Sequence, residues 1–317
     1  MIFNSRNDAD DNSNYQKIVH DLAFGALAEQ RRTRRWRIFF VSLFFVYLFA
    51  VTGTIMFSGP TSMIGEDGEH TALVKLNGVI ASGEEGGAAN VIQGLKAAFK
   101  NENTQGVILE INSPGGSPVQ SSYIYEEIIA LRDANPDIPL HTVITDIAAS
   151  GGYFVASASD QIFVNRSSLV GSIGVRMDGF GFVGLMENLG IERRLLTAGK
   201  NKGLADPFLP EQPEQTRHLQ TMLDEVHGHF IEAVKQGRGN RLKEVDGIFS
   251  GLIWSGEKSV EIGLTDGFGS TQSIARDLIG AEKVVDFTPK GEFIDRIASQ
   301  LSSYLKLNLL QSPQYRF

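Results

Sequence analysis

Apolar positions along this chain follow two spacings that alternate. Val91, Leu95 and Phe99 stand four apart within residues 90–100, and Ile124, Ile128 and Leu131 mark one face of residues 117–131. Both spacings predict helices. Between and around them lie short apolar runs rich in β-branched residues: TALVKLNGVI at 71–80, GVILEIN at 106–112 and PLHTVIT at 139–145. These predict strands. A short helix over 152–158, a strand over 161–164 and another over 195–197 follow. A long amphipathic helix is predicted over 213–236, striped by Leu219, Met222, Leu223, Val226, Phe230 and Val234. Alternating strands and helices imply an α/β domain, a mostly parallel sheet with flanking helices. Such sheets place ligands at the C-terminal ends of their strands. No internal repeat is visible, so one soluble domain is expected.

One stretch has no period. Residues 38–57, IFFVSLFFVYLFAVTGTIMF, hold no charge. As a helix, twenty residues span roughly 30 Å, the thickness of a bilayer core. Arg31, Arg32, Arg34, Arg35 and Arg37 precede the stretch, and Glu66, Asp67 and Glu69 follow it. The arginine bias predicts a single-pass anchor in an inner (cytoplasmic) membrane, with the N-terminus cytoplasmic and the rest periplasmic or otherwise extracytoplasmic. Trp36 is placed as an interface anchor. A cleaved signal peptide fits less well, because a polar segment precedes the stretch and no clean Ala-x-Ala follows it. The expected organisation is a cytoplasmic segment over 1–35, a lipid-contacting anchor over 36–57, a linker over 58–70, the soluble domain over 71–285 and a tail over 286–317.

Charge narrows the chemistry. The net charge of -8 over 317 residues divides into +2 for residues 1–57 and -10 for the remainder. So acidic a body is a poor match for a phosphate backbone, and nucleic acid is not an expected partner. The absence of cysteine removes disulfides, iron–sulfur clusters, thiolate zinc sites and cysteine nucleophiles. It also suits an oxidising compartment.

Two glycine-rich turns stand at predicted strand ends. In NSPGGSP, residues 112–118, Ser117 reads as an N-cap with Pro118 at the first helical position and Gln120 completing a capping box. Gly115 and Gly116 permit close backbone approach there, and the turn is either an oxyanion site or a tight strand-to-helix connection. The second turn, DIAASGGYFVASASD at 146–160, surrounds Ser150 with Ala148, Ala149, Gly151 and Gly152. Ser150 is either a nucleophile or a helix cap. Ala148 keeps the turn from matching G-x-S-x-G.

A nucleophilic serine needs a base. The histidines are His20, His70, His141, His218, His227 and His229, and no H-E-x-x-H or comparable metal-binding cluster occurs. A triad using His141 or His227 is one possibility. The other base is a lysine in TAGKNKGLADPF, residues 197–208, which holds Lys200 and Lys202. A solvated lysine has a pKa near 10.4 and is almost wholly charged at neutral pH, whereas dry surroundings favour the neutral amine. The plainer reading is a solvated loop lysine paired with Asp206.

NSPGGSP, ASGGYFVASASD, LVGSIGV at 169–175, TAGKNKGLADPF and GLIWSGEKSVEIGLTDGFG at 251–269 occur in that order. The series resembles the SppA-type signal peptide peptidases, over residues 71 to 285. The resemblance implies a ClpP/crotonase-like fold and a membrane-anchored serine endopeptidase acting on released signal peptides, with no metal and no cofactor. It puts the nucleophile at Ser150, the general base at Lys202 with Lys200 second, and oxyanion donors at Gly115, Gly116 and Gly151. Gly203 departs from the family, where an acidic residue is frequent after the lysine. The resemblance further implies a homo-oligomer in which Ser150 of one subunit meets Lys202 of the next, and activity that rises from neutral to mildly alkaline pH. The alternatives are a crotonase-type acyl-CoA enzyme and an inactive membrane-anchored scaffold.

Overall fold

The computed structural model of the protein describes residues 34–49 and 68–289. The chain divides into two compact units, Met1–Glu66 and Asp67–Phe317. In the first unit, residues 34–49 form a helix, α1, with every residue exposed. The Trp36 ring stacks on Phe40 at 5.8 Å and meets Phe39 edge-on at 5.9 Å. Among the described residues no helix is long and apolar enough to cross a membrane. The anchor expected over 36–57 continues past residue 49, outside the described residues. Residues 1–33 of the segment expected over 1–35, most of the linker and residues 290–317 of the expected tail also lie outside the described residues.

The second unit is built on β1 (His70–Asn77), β2 (Thr104–Ser113) and β3 (Leu140–Ala149), all parallel. β4 (Gln161–Val164) pairs with the first half of β3, and β5 (Leu169–Gly171) with its last residues, Ile147–Ala149. The sheet therefore splits at the C-terminal end of β3. β6 (Ile253–Ser255) adds antiparallel to β5, β7 (Gly267–Phe268) parallel to β4, and β8 (Val284–Asp286) parallel to β1. The sheet is mixed but mostly parallel, as the sequence pattern implies.

The central strands read as continuous apolar runs because both their faces are covered. Val107, Ile108, Leu109 and Ile111 are all fully buried. On one face they meet α2 (Ala88–Lys100), α3 (Pro118–Ala134), α4 (Gly151–Ala156) and the end of a long helix; Val91, Leu95, Ile124 and Ile128 supply the contact. On the other face Leu73, Ile108 and Val143 lie beneath a shorter cover, α8 (Thr271–Ile274) continued by a π turn at Ala275–Ile279. Each such side chain contributes about 1.5–3 kcal/mol by leaving water.

Beyond β5 the chain changes character. α5 (Val183–Asn188) has no buried residue. The strand expected at 195–197 does not form: these residues are exposed, Leu196 by 98%. Strand propensity is expressed only where a sheet edge is within reach, and none is here. α6 (Pro213–Arg238) forms over the expected residues, but its apolar stripe is only partly covered. Phe230, Ala233 and Val234 are buried, Leu219, Leu223 and Val226 half-buried, and Met222 exposed.

The end of α6 is held by charge. Arg238 is buried and donates from both terminal nitrogens to Asp266, each at 2.8 Å, and from Nε to the Gly263 carbonyl at 3.0 Å. Asp266 also accepts the Ile162 N–H at 2.7 Å. Burial pushes this carboxyl up, but the bonds and charge of Arg238 outweigh it and leave the group below the usual aspartate range. Tyr153, fully buried, donates its hydroxyl to the Leu264 carbonyl at 2.6 Å, and burial raises its phenol. The motif at 251–269 thus has a structural role: it supplies β6, α7 (Gly256–Glu261, capped by Ser255), β7 and the carboxylate that receives Arg238.

Candidate active site

The two glycine-rich turns meet where β2 and β3 end. After β2, the Ser113 hydroxyl donates to the Gly78 carbonyl at 2.6 Å and accepts the Gly115 N–H at 3.1 Å. Ile80 pins the turn from outside: its N–H donates to the Gly115 carbonyl at 2.9 Å, and its carbonyl accepts the Ser117 N–H at 2.7 Å. Ser117 caps α3, its hydroxyl accepting the Gln120 N–H at 3.4 Å. The expected capping box is only half formed. The Gln120 side chain accepts the Ala88 N–H instead, at 3.1 Å, because the Ser117 N–H is already given to Ile80.

Both glycines are dictated by crowding. A Cβ at Gly116 would collide with the Ile80 carbonyl oxygen. At Gly115, where φ is +98°, it would lie 2.7 Å from the Gly151 nitrogen and 2.8 Å from the Ser150 Cβ. The first turn therefore lies directly against the second.

The second turn holds Ser150 at φ 52° and ψ -125°, a conformation unusual for any residue with a Cβ. Its surroundings impose it. The Ser150 N–H donates to the Gly171 carbonyl at 2.8 Å, and its own carbonyl accepts the N–H groups of Tyr153 and Phe154, both at 2.9 Å. Such strain is stored where the neighbouring structure over-determines it. The N–H of Gly151 opens α4 and so has no partner within that helix. The nitrogen of Gly116 is 3.3 Å from where a Cβ of Gly151 would stand. Among the described residues, no acceptor takes the N–H of Gly116 or of Gly151. Gly115 lines the same place, but its N–H is given to Ser113. Two unpaired donors thus sit together next to one hydroxyl, an arrangement suited to holding a developing oxyanion.

This corner opens into a cavity of about 830 Å³, lined by Ser150, Gly116, Ser172, Val175, Phe230 and Ile253 among others. Ser172 was not singled out as a site residue by sequence. It lies two residues before the second glycine of LVGSIGV and adopts φ 50°, with its N–H given to the Leu252 carbonyl at 2.7 Å. The signal that could have found it is a serine flanked on both sides by apolar and glycine positions directly after a strand.

The candidate bases lie elsewhere in this protomer. Lys202 is exposed in a turn, its N–H on the Gly199 carbonyl at 3.1 Å, and it does not line the Ser150 cavity. Lys200 lies 3.5 Å from Glu214 and lines a different cavity of about 470 Å³. Asp206 does not serve either lysine, because Arg193 holds it at 2.8 Å and keeps its carboxyl below the usual range. His141 lies in β3 against Phe163, away from the cavity, and burial lowers its pKa. His227 is hydrogen-bonded to the Ile173 carbonyl at 3.1 Å and is not among the cavity residues. The structure therefore brings together Ser150, Gly115, Gly116 and Gly151, and does not bring Lys202 to them within one chain.

Comparison with known proteins adds a further constraint. The profile of a family described as "Peptidase family S49" matches residues 132–284, a span that contains Ser150, Gly151 and Lys202. A putative signal peptide peptidase SppA of Enterococcus faecium is 32% identical over 233 residues, covering 70% of this chain and 67% of that protein. Protease 4 of Salmonella typhi is 30% identical over 215 residues, 64% of this chain and 33% of its own length. A protein of Brucella melitensis named Na(+)/H(+) antiporter NhaA is 40% identical over 213 residues, 66% of this chain, but the match spans only 29% of that protein.

Proposed function

We propose, because this chain belongs to peptidase family S49, the SppA-type peptidases, that it is a serine endopeptidase using Ser150 and Lys202. The observation that carries this reading is Ser150 itself. It is held at φ 52° in the mouth of a cavity, beside the two unpaired N–H groups of Gly116 and Gly151. In the reaction, the Lys202 amine takes the proton of the Ser150 hydroxyl as Oγ bonds to the peptide carbonyl carbon. The carbonyl oxygen becomes an oxyanion held by Gly116 and Gly151, with Gly115 shaping the turn. Lys202 passes the proton to the leaving amine, and the C–N bond breaks. Water, deprotonated in its turn by Lys202, then cleaves the ester to free Ser150 and a carboxylate product.

Lys202 is supplied by a neighbouring subunit in this reading. A solvated amine is almost wholly charged at neutral pH and makes a poor base. The exposed position of Lys202 in one protomer is consistent with a base that is buried only on assembly. Large exposed apolar residues of the same segment of chain, Phe180, Leu189 and Leu196 among them, favour a homo-oligomer through that segment. The uncharged stretch 38–57 and the arginines before it support a bilayer anchor, with the N-terminus cytoplasmic and the peptidase unit outside the cytoplasm. Substrates are then apolar peptides near the membrane, chiefly released signal peptides, at a local concentration raised by the tether.

A fluorophosphonate probe tests the assignment. Wild type is expected to label, and Ser150→Ala and Lys202→Ala are expected not to. Equal labelling of wild type and Ser150→Ala would refute it. Cleavage of acyl-CoA with no peptidase activity would favour the crotonase-type alternative, and an unreactive wild type would favour a scaffold.

A further inference from the structure

The strap that follows Ser172 forms one wall of the cavity through Gly174, Val175 and Arg176. It is anchored at its start by Ile173, whose side chain is fully buried in the core, and its backbone attachment is otherwise sparse. The Ser172 N–H is bonded to the Leu252 carbonyl, but among the described residues no further backbone–backbone hydrogen bond is made until the Phe182 N–H, which donates to Pro207. Gly174 is packed against the Gly251 backbone, where an added Cβ would come within 3.2 Å of the Gly251 Cα. Among the described residues the strap's remaining polar tether to the body is the imidazole of His227, whose Nε2 is 3.1 Å from the Ile173 carbonyl oxygen. A carbonyl only accepts, so Nε2 carries the proton.

His227 also stands at a boundary within α6. Residues before it are incompletely covered, whereas Phe230, Ala233 and Val234 beyond it are buried. Its helix neighbours Val226 and Phe230 both line the cavity. One side chain thus ties the cavity wall to the helix at the point where that helix joins the core.

We infer that His227 is a positioning residue for the substrate: by holding the Ile173 carbonyl it sets the strap against which a peptide lies, without acting on Ser150. This rests on the reading of the cavity as a peptidase site. The Ser150 turn is fixed by other bonds, through Tyr153, Phe154 and Gly171, the last held in β5 by its pairing with β3 and β6. Loss of His227 should therefore weaken peptide binding and spare the reactivity of the nucleophile.

The test uses the full chain in detergent, with an internally quenched apolar peptide and a small fluorophosphonate, on wild type, His227→Leu and His227→Gln. For His227→Leu, KM is expected to rise about five- to tenfold, the worth of one hydrogen bond, with kcat and the fluorophosphonate labelling rate within about twofold of wild type. Gln carries an N–H at similar reach, so His227→Gln should return KM to within about twofold of wild type. An unchanged KM in His227→Leu would overturn the inference, as would a Gln variant as impaired as Leu. A labelling rate falling in step with kcat would also overturn it, since His227 would then act on the nucleophile or on folding. Failure of the peptidase reading itself would show in wild type, as absence of both cleavage and labelling.

Discussion

In α3, Ile124 and Ile128 are fully buried against the sheet. Between Ser172 and His227, Phe180 is 80% and Leu196 98% exposed. Both stretches are rich in apolar side chains, but among the described residues only the first finds its cover. The residues proposed for catalysis divide along the same line. Ser150 and its N–H donors are fixed by the packed body, through the Gly171 carbonyl and a turn too crowded for any side chain. Lys202 is carried by the uncovered segment. If the proposed homo-oligomer forms, a site whose halves lie in regions so differently packed would have its nucleophile ready in one subunit and its base placed by another, and activity would then depend on assembly.

The contrast is most strongly broken at the body's own turn. Gly115→Val sets a branched side chain at φ +98° against the Gly151 nitrogen and the Ser150 Cβ. Peptidase activity and fluorophosphonate labelling should both fall by about a hundredfold or more, the scale on which misplacing a reacting group acts. Labelling kinetics on the folded variant check this. Unchanged labelling would mean that the two turns do not constrain each other.

Stability should separate the two regions next. Asp266→Ala leaves Arg238 buried without its charge partner, which costs about 3–5 kcal/mol. Leu196→Asp, at an exposed position, should change the unfolding free energy by only about 0.5 kcal/mol or less in the dissociated chain. The second variant should nevertheless reduce assembly and activity. Denaturant unfolding together with sedimentation velocity distinguishes these effects. A Leu196→Asp variant that assembles and cleaves normally would remove that residue from the interface.

The smallest effect concerns pH. Burial lowers the pKa of His141, whose Nδ1 has no hydrogen-bond partner among the described residues. The unfolded chain then binds a proton more readily than the folded one. The stability linked to His141 is present above the ordinary histidine value of about 6.5 and is lost as pH falls through the lower folded value. Unfolding midpoints should decline as pH drops from about 6.5 towards the lower folded value in wild type, and His141→Phe should flatten the decline. An identical slope in the two proteins would show that His141 does not titrate on unfolding.

How much of this could be read from sequence follows the same division. β1, β2, β3 and the helices α2 and α3 were legible because local periodicity and burial agree there, as at Val91, Leu95 and Ile124. β5 to β8 are two- or three-residue strands, too short to show a period, and are set by pairing with distant segments. The Leu195–Thr197 stretch has strand propensity and no edge to join. At the site, Ser150, Gly116 and Gly151 were visible as small-residue turns at strand ends. Lys202 was distinguished from Lys200 only by resemblance to a family, since nothing in its own surroundings within the protomer marks it. The Ser172 bond to Leu252, 80 residues away, and the His227 bond to Ile173, 54 residues away, are contacts that local pattern does not encode.

Division of the dyad between subunits is tested most directly by co-assembling Ser150→Ala and Lys202→Ala chains carrying different tags. Each is expected to be inactive alone. In a mixed ring with head-to-tail interfaces, about a quarter of the sites would pair an intact Ser150 with an intact Lys202, so roughly a quarter of wild-type activity should return. Verified mixed oligomers that remain as inactive as either parent would contradict the account.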